Sequence, residues 1–539
     1  MKRQIVFSLV CFLLLLSACK NHNPSFREIS LNVLKDKIAG GWAGKMIGVT
    51  YGAPTEFRAL GKIYTDSILW KPSDIRGSLW QDDLYVQLSF LMTMDSFGIH
   101  APSKKFQEMF ATAGFPLWHA NMQSRKNYFD SIFPPASGNP ANNIHADDID
   151  FQIEADYIGF MCPGMPKELV TIADSIGHIM NYGDGVYGGI FVGSMYSAAF
   201  FENDIRKIIE AALQSIPSGS EYAQTIRDVL LLHDHYPDNW RQAWQELQLK
   251  WGETHICEAG SPFNIDAKLN GAYIVMGLLY GNGDPVKTME ITVRCGQDSD
   301  CNPANAMAVL GVMKGFSQLP DSLRLGVKDV GNSLFINTSY SFNKAVETTM
   351  KYALQLVRDN GGKVTLTQAL VRSEKPAPPP LEVSFPNVVF DMNIPVTDHA
   401  AWKMSTGWQE YKISEGKDKP TVVQSVWSDQ KGEAISLTFN GNGVSLTGNW
   451  LGNCGKADII LDGKKVKTID CWYFHNKQEH HGISIWHILG LPNGEHTLSI
   501  LVRGEKRPES TGSRIYISGA TIFKDLPKKN EGFRFSFDN

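Results

Sequence analysis

The sequence predicts a multidomain protein, an all-α body followed by an all-β domain of the jelly-roll or β-sandwich kind. Three observations carry this. Apolar residues recur at helical spacing from about residue 27 to 370, a proline cluster then breaks the pattern at residues 376–380, and beyond it apolar residues alternate with a period of two. A chain of 539 residues is also longer than one hydrophobic core organises.

The chain opens on Met1-Lys2-Arg3 and an apolar run from Ile5 to Leu16 interrupted only by Ser8, the pattern of a secretion signal. The run is too short to be a stable membrane span. Leu16-Ser17-Ala18-Cys19 resembles the lipobox of bacterial lipoproteins, which implies that residues 1–18 are a signal peptide and that Cys19 is acylated. Several acyl chains anchor durably where one does not, so the lipid bilayer is an expected partner. Lys20-Asn21-His22-Asn23 lacks the acidic run that resembles a surface-export signal. An exported, membrane-anchored lipoprotein facing the periplasm is therefore expected, with the cell surface as the alternative.

Residues 19–372 form the helical domain. Leu34, Ile38, Trp42 and Met46 are spaced by four, and Ala/Met/Leu-rich segments follow around 190–215 and 304–316. Residues 373–386, with Pro376-Ala377-Pro378-Pro379-Pro380, read as an extended, semi-rigid connector. Residues 387–539 are the β domain: Ile435, Leu437, Phe439, then Val444, Leu446, then Leu498, Ile500, Val502, then Ile515, Ile517, with a hairpin turn at Asp462-Gly463. The domain resembles the jelly-roll accessory modules of secreted glycoside hydrolases. Its Trp402, Trp408, Trp427, Trp450 and Trp472 could stack on sugars, though most are expected in the core. His475, His480 and His481 lack regular ligand spacing and read as an exposed loop, and Cys454 with Cys471 is the most plausible disulfide.

The charge balance is −5, and −7 once Lys2 and Arg3 leave with the signal. No basic surplus points to nucleic acid, so no nucleic-acid partner is expected.

Three segments carry the candidate chemistry. Gln81-Asp82-Asp83-Leu84 opens a helix, and Gly296-Gln297-Asp298-Ser299-Asp300-Cys301-Asn302-Pro303 opens another. Each set of acids alone could be a helix cap. If the two helices pack side by side, four carboxylates converge, and only a hard cation compensates their repulsion; all-oxygen ligation selects Mg²⁺, Mn²⁺ or Ca²⁺. The third segment, Gly48-Val49-Thr50-Tyr51-Gly52-Ala53-Pro54-Thr55-Glu56-Phe57, ends the first long helix and presents Glu56.

In this order the segments resemble the ADP-ribosylglycohydrolase family over about 27 to 330. The family's opening Gly-Asp-x-x-Gly motif with its following Glu lies over Gly48 to Glu56, its Thr-Asp-Asp-Thr motif over Gln81 to Leu84, and its Asp-x-Asp-Thr motif over Asp298 to Cys301. The resemblance implies an all-helical fold with a binuclear Mg²⁺ or Mn²⁺ centre in a central cleft, Glu56 as the catalytic or gating carboxyl, and Asp82, Asp83, Asp298 and Asp300 as metal ligands. Gln81 can add an amide oxygen. Gly183-Asp184-Gly185-Val186-Tyr187-Gly188-Gly189 looks like the central segment of bacterial relatives, so Asp184 and Gly185 are expected near substrate. The departures are Val49 for the family's Asp, Gln81 for Thr, and Leu84 and Cys301 for Thr. Leu84 cannot bind a hard cation and a neutral thiol binds one poorly, so one or two ions are expected, with a softer ion at Cys301 as an alternative.

His145-Ala146-Asp147-Asp148-Ile149-Asp150 reads as a polar turn opening a helix. The family's phosphate-holding stretch corresponds to Glu154-Ala155-Asp156-Tyr157-Ile158-Gly159-Phe160-Met161-Cys162-Pro163, where the glycines and the Arg are absent and two acids stand. Carboxylates repel pyrophosphate and bind sugar hydroxyls, so Glu154 and Asp156 are expected to contact a neutral glycosyl ligand. The resulting expectation is a metal-dependent hydrolase of an N- or O-glycosidic bond in a small, neutral, furanosyl glycoside or oligosaccharide. The alternatives are an ADP-ribosyl hydrolase and a catalytically inactive carbohydrate-binding lipoprotein.

Overall fold

The computed structural model describes residues 25–414, 421–525, 528, 532–535 and 537; Cys19 and the expected signal lie outside them. Among the described residues no helix is long and apolar enough to cross a membrane.

The helical domain is built around α1 (Leu31–Gly52), whose first turn is capped by the Ser30 hydroxyl accepting from Val33 N–H at 3.2 Å. The other helices that shape the site are α2 (Asp82–Phe97), α3 (His119–Phe129), α4 (Asp150–Glu154), α5 (Asp156–Met161), α6 (Asp184–Ala199), α7 (Ala267–Gly281) and α8 (Cys301–Lys314). Every residue of α7 is buried, as expected of a helix apolar on all faces and enclosed by others.

One stripe of residues decides where the site forms. Gly40, Gly44, Gly48 and Gly52 recur every fourth residue on α1 and face the backbone of α8 and the turn before it. A Cβ on them would lie 2.1 Å from Gly311 O, 2.4 Å from Met307 O, 2.3 Å from Pro303 O and 1.9 Å from Ser299 O. Glycine is what lets the two backbones touch. The contact delivers the C-terminal end of α1, and Glu56 just beyond it, to the Asp298–Asp300 turn.

The body is not purely helical. β1 (Phe26–Ser30), β2 (Lys363–Val364) and β3 (Gln368–Arg372) form a small antiparallel sheet in the order β1-β3-β2 that ties the two ends of the helical domain together.

The proline-rich connector runs over the helical domain and is held to it. Glu374 accepts from Lys167 and Glu168 N–H at 2.7 and 3.1 Å, Tyr187 donates to Pro380 O at 2.9 Å, and Glu382 meets His178 at 3.0 Å. The β domain that follows is one curled antiparallel sheet. It contains β4 (Val388–Pro395), β5 (Trp402–Met404), β6 (Gln409–Ser414), β7 (Thr421–Ser428), β8 (Ala434–Trp450), β9 (Lys456–Leu461), β10 (Lys464–Asp470), β11 (His480–Val502) and β12 (Ile515–Asp525); seven run in the order β10-β9-β11-β8-β12-β7-β6, while β4 pairs with β12 and β5 with β8. The long β11 follows β8 through three irregularities in register, which let the sheet bend around its core. Trp402, Trp450 and Trp472 are in that core, while Trp408 and Trp427 are half-buried.

Two expectations for this domain are corrected. Cys454 and Cys471 are buried free thiols, with Cys454 Sγ directed at Asn449 O at 3.7 Å rather than at a partner sulfur. The histidine loop is not simply exposed: it packs on the helical domain, where His475 stacks on Phe129 with ring centroids 4.0 Å apart. Gln478 accepts from Leu117 N–H at 3.1 Å, and Arg507 pairs with Asp130 at 3.0 Å.

Candidate metal centre

The N-termini of α2 and α8 meet the end of α1. Gln81 is the N-cap of α2 and Asp300 the N-cap of α8, yet neither side chain makes a capping hydrogen bond. The acids at these positions point elsewhere, into one cluster, and the positive ends of two helix dipoles support them there. Carboxylate oxygens of Glu56, Asp298 and Asp300 lie within 4.8 Å of one another, and those of Asp83 and Asp300 lie equally close to each other and to Cys301 Sγ. Asp82 accepts from Asp83 N–H at 3.1 Å. Gln81 stands half-buried beside them.

The electrostatics register the crowding. Burial, then Asp300, Asp82 and Asp83, push the Glu56 carboxyl up to about 8. Burial, then Asp83 and Asp150, raise Asp82 to about 7. Asp298 is pushed up to about 7, chiefly by burial, and Asp300 well above its usual range by burial and by Asp298. A site in which several carboxyls resist ionisation together is one that a divalent cation would relieve. Glu56 itself is exposed at the mouth, whereas Asp298 and Asp300 are 4% and 2% exposed.

Sequence reasoning missed the cation already present. Lys45, on α1 and fully buried, puts Nζ 2.7 Å from Asp83 Oδ1 and 3.3 Å from Asp156 Oδ2. Burial alone would lower its ammonium, but Asp156 and Asp83 outweigh that and hold it protonated. Its signal was available: a lysine four residues before Val49 in an otherwise apolar and glycine-rich helix has to find a buried partner.

Three expected substrate contacts are placed differently from the expectation. Asp156 is fully buried and engaged by Lys45 and by Gln87, whose Nε2 donates at 2.9 Å, so it serves the interior as a counter-ion. Glu154 is also fully buried and accepts from Asn121 Nδ2. Gly185 packs against Ala146 O, which a Cβ there would approach to 2.3 Å. Asp184 lines a large cavity of about 1310 Å³, shared with Asp147, Glu221, Trp244, Lys268 and Phe390, and none of Glu56, Asp82, Asp83, Asp298 or Asp300 lines it. The segment 145–150 is a turn opening a helix, and its Asp150 accepts from Asn121 N–H at 2.9 Å.

The departures from the family pattern also have places. Val49 and Leu84 are core residues with no exposure. Cys301 Sγ donates to Asp83 Oδ2 at 3.1 Å, and burial with the acids around it pushes the thiol well up, so it stays neutral.

Comparison with known proteins supplies an independent reading. The family model described as ADP-ribosylglycohydrolase matches residues 30–358. A 94-residue stretch is 33% identical to an "A type blood alpha-D-galactosamine galactosaminidase" of Flavonifractor plautii, covering 17% of this chain and 8% of that protein. Among solved structures, an "ADP-ribosylglycohydrolase-related protein complex" is similar at a TM-score of 0.43 and 12% identity, covering 60% of this chain and 98% of that one. A carbohydrate-binding module crystallised with calcium and xylotriose is similar at a TM-score of 0.16 and 10% identity, over 25% of this chain and 100% of its own.

Proposed function

Because the chain belongs to the ADP-ribosylglycohydrolase family, we propose that it is a metal-dependent glycosidase that hydrolyses an N- or O-glycosidic bond of a neutral, furanosyl glycoside. The observation that carries this is the convergence of Glu56, Asp298 and Asp300 at an open mouth, beside Asp82 and Asp83. These are hard oxygen donors, and their raised proton affinities fit a site completed by a divalent ion such as Mg²⁺, Mn²⁺ or Ca²⁺. Asp298, Asp300 and Glu56 would hold it, with Asp82, Asp83 and Gln81 beside them.

When bound, the cation supplies Lewis acidity and an orienting charge for sugar hydroxyls and water. The protein does the rest. Burial and the neighbouring Asp300, Asp82 and Asp83 raise the proton affinity of Glu56, and once a cation offsets those charges its carboxylate can take a proton from water. Asp298 and Asp300, buried behind it, stabilise positive charge that develops at the anomeric carbon.

The neutral ligand is favoured over ADP-ribose because the ammonium touching the cluster, Lys45, is already engaged by Asp83 and Asp156. A pyrophosphate there would face carboxylates. The galactosaminidase likeness supports a carbohydrate substrate. Export through the leader and anchoring by an acylated Cys19 would place this activity at the periplasmic side of a membrane, and Cys19→Ala should move the protein from the membrane to the soluble fraction.

The test is a release screen with aryl furanosides, aryl pyranosides and a mono-ADP-ribosylated protein, each with Mg²⁺ and with EDTA. Mg²⁺-dependent release from a neutral glycoside is expected. Rapid release of ADP-ribose would replace the substrate assignment, and the absence of turnover on every substrate would favour a carbohydrate-binding protein.

A further inference from the structure

Away from the carboxylate cluster, four side chains of another character converge. His145 Nδ1 lies 2.9 Å from Asp148 Oδ2 and 3.0 Å from Cys257 Sγ, and His119 Nδ1 lies 3.8 Å from the same Asp148 oxygen. One ligand atom from each of the four lies within 4.8 Å of all the others. His145, Asp148 and Cys257 are buried, and His119 is partly exposed. They come from three distant segments: the first residue of α3, the turn before α4, and the loop that precedes α7.

A nucleophilic Cys-His-Asp relay does not account for this arrangement. In a relay the imidazole takes the thiol proton on one nitrogen while the carboxylate holds the other. Here Asp148 and Cys257 both contact Nδ1. Side chains that approach a single point are instead what a coordinated ion requires. In a tetrahedral site with metal–nitrogen bonds of about 2.0 Å and metal–sulfur bonds of about 2.3 Å, ligand atoms stand about 3.3–3.6 Å apart. The three separations around His145 Nδ1 and Asp148 Oδ2, 2.9, 3.0 and 3.8 Å, bracket that range, and all the ligand atoms lie within 4.8 Å of one another.

We propose that His119, His145, Asp148 and Cys257 bind one zinc-class divalent cation, separate from the hard-cation site at Glu56, Asp298 and Asp300. Two imidazoles and a thiolate select a borderline-soft ion over Mg²⁺ or Ca²⁺. Cys257 gives up its thiol proton to solvent on binding, and both imidazoles bind as neutral bases. His119 holds a positive φ of 44°, and Glu258, next to Cys257, one of 54°, conformations that non-glycine residues rarely adopt. Coordination would offset that cost. A cavity of about 120 Å³ beside the cluster is lined by His119, His145 and Cys257 together with His480 and Ser484 of the β domain.

The ion would be a positioning element for the active cleft. The His119 ring stacks on Phe263 with centroids 5.6 Å apart, and Phe263 packs on Phe57 at 4.8 Å, directly after Glu56. Stapling the Cys257 loop to α3 would therefore fix the wall beside the catalytic carboxyl.

Metal analysis tests this without reference to turnover. The full-length protein is stripped with chelator, loaded with Zn²⁺ or Co²⁺ and dialysed, and its metal content and cobalt absorption spectrum are measured. About one Zn²⁺ per chain and a thiolate-to-cobalt charge-transfer band are expected. Cys257→Ser and His145→Gln should each cut retained zinc at least tenfold, while Asp300→Asn keeps it. The cobalt spectrum of Cys301→Ser, which removes the thiol of the carboxylate cluster and should keep the band, decides the matter even if Cys257→Ser fails to fold. Absence of the thiolate band, or zinc lost in Asp300→Asn but kept in a folded Cys257→Ser protein, would overturn the assignment.

Discussion

Asp83 and Asp300 both lie within reach of Cys301 Sγ, at 3.1 and 3.7 Å, yet their surroundings differ in one respect. On the Asp83 side the charge is met from within the protein by Lys45, which also holds Asp156. On the Asp300 side stand Asp298 and Glu56, and among the described residues no lysine or arginine forms an ion pair with any of the three. The first half is closed and buried and holds a cation of its own. The second is open at Glu56 and lacks a positive charge. This asymmetry teaches that an amino-acid cation can offset charge on one side of a carboxylate cluster, leaving the other to an exchangeable ion.

The largest effect should come from breaking the closed half. Lys45→Met leaves Asp83 and Asp156 buried without a counter-charge, and removing one partner of a buried pair costs about 3–5 kcal/mol. Urea unfolding should show that loss, and adding Asp156→Asn to Lys45→Met should recover part of it. A stability change below about 1 kcal/mol would mean that Lys45 is not the counter-ion of this half.

Breaking the open half should instead remove function and spare the fold. Asp300→Asn should lower kcat on a cleaved glycoside by about a hundredfold or more, because even outer partners of metal ligands are worth 10–100-fold. Calorimetry should show Mg²⁺ affinity falling in parallel. Retained turnover would remove Asp300 from the site.

pH separates the two halves more gently. Asp82 and Asp298 have folded-state values near 7, above those of unfolded chains, so each contributes stability that is complete at acid pH and is lost as pH rises through 7. Metal-free protein should therefore lose about 1.4 kcal/mol per pH unit for each proton that the folded cluster retains and the unfolded chain has released. Between pH 5 and 8 its Tm should fall, and saturating Mg²⁺ should flatten the slope by favouring the charged carboxylates. The Lys45 ammonium, protonated throughout this window, should not contribute to the slope.

The legible parts of the site were those written as short, local patterns. Asp82-Asp83 and Asp298-x-Asp300 each open a helix, so their position needed only the helical period. The change of apolar spacing from four to two likewise made the β domain readable. Lys45 and the His119–Cys257 cluster were hidden because their members lie up to 138 residues apart in the chain, and only packing brings them together. Glu154 and Asp156 were read as facing ligand because their type suited a sugar, whereas helix rotation turns Asp156 toward Lys45. The glycine stripe of α1 was in plain view and carried more information than its residue types suggested, since a spacing of four marks a backbone contact with α8.

Cys301 stands at the border between the halves and gives the finest test of the comparison. Its thiol donates to Asp83 and lies near Asp300, in the position where the family motif has threonine. Cys301→Thr keeps the volume close and replaces a soft, neutral sulfur with a hydroxyl oxygen that can both donate to Asp83 and ligate a hard cation. The expected result is Mg²⁺ affinity raised severalfold, about 1 kcal/mol, with stability changed by less than that. Such a gain would place the exchangeable cation against Cys301, on the border itself. Unchanged affinity would confine it to Glu56, Asp298 and Asp300, further from Lys45, and would widen the separation between the two halves.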